Sequence, residues 1–79
     1  MIETLQEMAD DMYAASIAET AIEEYTKPFL DKVVAGEAKG DKYTIRLARV
    51  CVNAKRDRDR YVTQFDALEE AISKLKGTK

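Results

Sequence analysis

The sequence predicts an all-α protein: an antiparallel helical hairpin, its first helix bent or broken near Pro28, that dimerises into a four-helix-type bundle. Three observations carry this. Three glycines and one proline among 79 residues leave few places for the chain to turn. Apolar residues recur at alternating steps of three and four in both halves. One convincing turn, "GEAKGD", separates the halves near the middle.

The first half carries the seam Leu5, Met8, Met12, Ala15, Glu19, Ile22, Thr26, Phe29 and Val33, interrupted at Glu19 and Thr26. Pro28 lacks the amide that would bond to the Glu24 carbonyl, and its ring crowds that carbonyl. A kink or break within 24–28 is expected, or else Thr26 caps a separate short helix. Gly36 and Gly40 bracket the turn, and Asp41 is placed to accept the free amides of the next helix as its N-cap. From about residue 42 to 76 the second seam runs Leu47, Cys51, Ala54, Arg58, Tyr61, Phe65, Leu68, Ile72 and Leu75, apolar at every step but Arg58. A strand over 42–52 competes, because Tyr43, Ile45 and Leu47 alternate among β-branched neighbours. The alternation slips at Ala48 and Arg49, which favours the helix.

Reversal near Gly40 sets Val33 against Leu47, Phe29 against Cys51, Ala15 against Phe65 and Leu5 against Leu75. In that register Glu19 lies one layer from Arg58, and the two form a charge pair that fixes register. A charge in a core-facing position is costly unless paired, with Glu19 or with a partner's carboxylate.

The length implies one helical domain over residues 1–76 with a frayed tail at 77–79. A chain this short sits near the lower limit for folding alone, so self-association is expected. No apolar run approaches the roughly 20 residues a membrane span needs. The acidic, amphipathic start "MIETLQEMADDMY" is unlike a secretory signal, and a cytoplasmic setting is expected. Cys51 is alone and flanked by Val50 and Val52, which reads as a small core residue.

Chemistry is sparse. There is no histidine, which removes histidine acid–base and triad chemistry, and no glycine-rich phosphate loop. Carboxylates cluster at Glu3, Glu7 and Asp10 and at Glu23–Glu24, but a slim hairpin has no pocket to gather them. No enzymatic activity, cofactor, metal site or small-molecule substrate is expected.

Surface is abundant. On a helix, Arg46, Arg49, Asn53, Arg56 and Arg60 share one stripe away from the seam. That spacing suits contacts to phosphates, although Asp57 and Asp59 weaken the field and no aromatic residue joins the stripe. The loop end is broadly apolar: Phe29, Leu30, Val34, Tyr43, Ile45, Val50 and Val52 exceed what one hairpin contact needs, and they form the expected interface. A compact three-helix core that consumes them is the competing arrangement. The functional expectation is a small non-enzymatic protein-binding module, an inhibitor, adaptor or assembly factor, acting as a homodimer with a protein partner. The alternatives are a nucleic-acid-binding regulator using the arginine stripe, or an inhibitor whose acidic N-terminal helix mimics a phosphate backbone.

Overall fold

Two helices account for nearly all of the chain. A computed structural model describes residues 1–77, in which α1 spans Ile2–Val34 and α2 spans Lys42–Gly77. The helices pack side by side along their length into a hairpin 61 Å long and 16 by 13 Å across. The expected helical hairpin is present. The competing strand over 42–52 is replaced by the first turns of α2. Gly77 belongs to α2, and Thr78 and Lys79 of the expected tail lie outside the described residues.

The turn is built from its two glycines. Gly36 has φ +77°, and the amides of Gly36 and Glu37 return to the carbonyls of Val33 and Lys32, so the last orphan carbonyls of α1 are satisfied by a Schellman motif. Gly40 has φ +81°, and the Asp41 amide donates to the Ala38 carbonyl at 3.0 Å, as a type II turn requires. Asp41 then caps α2: its carboxylate accepts the Thr44 amide at 3.1 Å and the Thr44 hydroxyl at 2.7 Å. These two bonds, the hydroxyl's first, hold the Asp41 carboxyl below its ordinary range.

Pro28 does not break α1. The helix passes through it as one element, and the expected separate helix capped by Thr26 is absent. An N-cap hydroxyl accepts from an amide ahead of it. The Thr26 hydroxyl instead donates backwards to the Ile22 carbonyl at 2.6 Å, an intrahelical bond, and Thr26 is buried against α2. Pro28 points to solvent, so its ring displaces nothing in the hairpin, and packing on α2 continues across the amide it lacks.

The seam of α2 follows expectation as far as Ile72, with Thr44 and Ala48 added to the buried set, whereas Leu75 is exposed. On α1 the contact stripe is rotated. Ala9, Ser16 and Thr26 are buried, whereas Met8 is 47% and Ile22 40% exposed. The hairpin therefore closes on small residues: Ser16 and Thr26 on α1, with Ala48, Cys51 and Ala54 on α2. Small side chains let the backbones approach closely, and the hydroxyls are satisfied within their own helix. Ser16 donates to the Tyr13 carbonyl and Thr20 to that of Ser16. The Cys51 thiol, fully buried, reaches across to the Glu23 carbonyl at 3.6 Å.

Candidate interaction surface

The rotation of α1 decides what the molecule shows. Ile72 is the only large aliphatic or aromatic side chain that is fully buried among the described residues. Met8, Tyr13, Ile17, Ile22, Tyr25 and Val34 on α1, with Tyr43, Ile45, Val50, Val52 and Val62 on α2, all stand at 37% exposure or more. Apart from Ile72 the fully buried residues are small, and the remaining large apolar side chains are half-buried or exposed, unlike a self-sufficient core.

Two rings mark the loop end: Phe29 and Tyr43 meet edge to face with centroids 5.9 Å apart. Of the seven expected interface residues, Val34, Tyr43, Ile45, Val50 and Val52 are exposed, and Phe29 and Leu30 are half-buried between the helices. The helical period divides them. Phe29, Tyr43 and Val50 lie along one long side of the hairpin, and Val34, Ile45 and Val52 along the other. Towards the free ends, Tyr13 tilts on Phe65 at 5.6 Å, and Met8, Met12, Gln64, Ala67 and Leu68 line an open groove.

Arg58 is core-facing, as its seam position implied, but its cross-helix partner is Glu23, not Glu19. The rotation that buries Ser16 also brings Glu23, seven residues further on, onto the contact stripe. The Arg58 Nη1–Glu23 Oε1 pair is partly buried on both sides, and Asp59 Oδ1 accepts from Arg58 Nη2 at 3.0 Å. Glu23 thus turns across the hairpin, while Glu70 and Lys74 pair along α2 at 3.2 Å.

Arg46, Arg49, Arg56 and Arg60 are all exposed on the face of α2 turned away from α1. Arg46 and Arg49 border a shallow depression with Lys42 and Ile45. Arg56 and Arg60 share Asp57, at 3.7 and 3.6 Å, and the Arg60 guanidinium lies over the Tyr61 ring at 5.3 Å. Among the described residues no group of three His, Cys, Asp or Glu side chains is placed to hold a metal ion, and no helix is long and apolar enough to cross a membrane. No protein-family model, curated protein or solved structure matches this chain.

Proposed function

We propose that this chain is a small non-enzymatic protein-binding module, an inhibitor, adaptor or assembly factor, that acts through its helical surfaces and dimerises into a four-helix-type bundle. One observation carries the reading: apart from Ile72 the fully buried residues are alanine, serine, threonine and cysteine, and Tyr13, Ile17, Ile22, Tyr25, Tyr43, Ile45 and Val52 stand exposed. Apolar surface of this extent on a chain this size is stable in water when another protein covers it. Ile45 and Val52, seven residues apart on α2, sit on the long side away from Tyr43 and Val50 and are the anchors for a partner. The test is capture from the native host with wild type, Ile45→Asp and Val52→Asp in parallel. The reading expects a protein retained by wild type and lost with both variants at unchanged helicity. Identical captures from all three would overturn it.

The exposure of all four stripe arginines supports a second reading, contact with a nucleic-acid backbone. Four phosphate contacts would make log affinity fall with log salt at a slope of roughly −3 to −4. Binding of a short duplex or single strand followed by anisotropy should then weaken in a double R56A/R60A variant; no binding at low salt removes this reading.

A further inference from the structure

We infer that the long side of the hairpin carrying Met8, Ala15, Ile22 and Phe29 is the seat of a second copy of this chain, with the two-fold axis parallel to the helices and both loops at the same end. The inference rests on the proposed protein-binding reading and names the occupant of one face.

Size points to an occupant of this kind. A folded monomer of 8.9 kDa exposes about 4,800 Å² of surface and has a radius of gyration of about 12 Å. This hairpin exposes 5982 Å² with a radius of gyration of 17.4 Å. The excess, about 1,200 Å², exceeds the roughly 800 Å² that each partner contributes to a stable interface.

The face itself is uncharged on α1. Met8, Ala15, Ile22 and Phe29 recur at every seventh position, the repeat that keeps one strip facing a partner helix. The Phe29–Tyr43 contact near the loop and the Met8–Gln64 groove near the free ends place the α2 strip Tyr43, Val50, Asp57, Gln64 and Ala71 on the same side. Asp57, the one charge on that strip, already lies near Arg56 and Arg60. The opposite long side is interrupted by Lys27, Lys55 and Glu69. A helical sandwich built on the side with the single charge desolvates fewer ions than one built on the other.

Charge then selects the arrangement. Two hairpins meeting on this face keep every neighbouring pair of helices antiparallel in either of two ways. If the two-fold axis crosses the helices, α1 lies on α1 and the loops are at opposite ends. If it runs along them, α1 lies on the second copy's α2 and the loops coincide. Within α1 eight acids oppose two lysines, a net −6, and within α2 nine bases oppose five acids, a net +4. Packed helix axes are 8–10 Å apart, comparable with the screening length at physiological salt, so like-charged neighbours repel and opposite ones attract. The second arrangement pairs acidic with basic helices throughout.

Sedimentation equilibrium and pulsed electron spin resonance test this together. Wild type is expected at twice 8.9 kDa. Ile22→Asp and Ala15→Glu, each checked for helicity by circular dichroism, are expected to weaken the dimer by about 100-fold or more, because each buries a carboxylate. Glutamate is a good helix former, so Ala15→Glu keeps the test valid if Ile22→Asp fails to fold. Ile17→Asp, on the opposite side, should leave the dimer intact. A spin label at K39C, in a C51A background of verified dimeric mass, should report a distance of about 20–30 Å across the shared loop end, set by the packed-helix spacing. A monomeric wild type, or a dimer indifferent to both Ile22→Asp and Ala15→Glu, overturns the inference while leaving the Val52 test of partner binding unaffected. A label separation close to the 61 Å length of the hairpin overturns the arrangement.

Discussion

At the scale of single residues, the turn and the central ion pair are the most exposed to test. Gly36 sits at φ +77° with nothing within 4 Å of an added Cβ, so Gly36→Ala meets no clash and pays only for the left-handed backbone. It should lower the free energy of unfolding by about 1 kcal/mol in urea titrations, with an unchanged dependence on denaturant. Asp41 makes a pH-dependent contribution. Its carboxyl titrates lower in the folded chain than in the unfolded one, so the stabilisation is present in full above the unfolded value, near 4. It is lost as pH falls through the depressed folded value. The stability difference between wild type and Asp41→Asn should therefore shrink as pH drops from 5 towards 2, and a constant difference would show that the charge is not what matters. Glu23 and Arg58 form a pair in which each partner is mostly shielded. Removing either alone leaves the other charge half-buried, and Arg58→Ala should destabilise by about 2 kcal/mol, whereas the double replacement Glu23→Leu with Arg58→Met should be close to neutral. That a core-facing arginine would need a carboxylate was legible from its place in the seam. Which carboxylate was not, because Glu19 and Glu23 are one turn apart, and a heptad pattern accepts either until the rotation of α1 is known.

At the scale of the helices, α2 was legible nearly in full and α1 only in part. The α2 seam is apolar at every step but Arg58, and Asp41 before it and the glycine-bracketed turn define its start. In α1 two stripes compete. Met8, Ala15, Ile22 and Phe29 are the more hydrophobic, but Ala9, Ser16, Glu23 and Leu30 offer close approach and a carboxylate for Arg58. Hydrophobicity ranks the first stripe higher, and pairwise packing within the hairpin uses the second. Pro28 does not break the helix, for a related reason. A proline in a helix interior costs about 3 kcal/mol in isolation, but α1 is held on both sides of it by α2, and that packing outweighs one missing hydrogen bond. Since Pro28 faces solvent, Pro28→Ala should restore the bond to Glu24 and raise stability by about 1–3 kcal/mol, measured by urea unfolding. A loss of stability would mean that the helix needs the geometry proline imposes.

At the scale of the whole molecule, two helices enclose no interior. Each has one neighbour, so about half of its flank remains open, and in this chain that flank carries Ile22, Tyr25, Val50 and Val52. The broad apolar character of the loop end was visible in the sequence, as was the separation of charge between the halves. The division of the apolar residues between two opposite sides was not visible, since it depends on which stripe of α1 meets α2. If the hairpin is completed by a second copy, folding and association are one equilibrium, and the midpoint of thermal unfolding should rise with protein concentration. A midpoint independent of concentration over two decades would point to a monomer.

The most direct test of a two-chain bundle is the solution mass of the unmodified chain, by light scattering or sedimentation, from about 1 to 100 μM. If the hairpin is half of a bundle, the mass is twice 8.9 kDa and persists in high salt, because apolar contact holds the two copies together. A mass of 8.9 kDa across that range, with helicity intact, would contradict it.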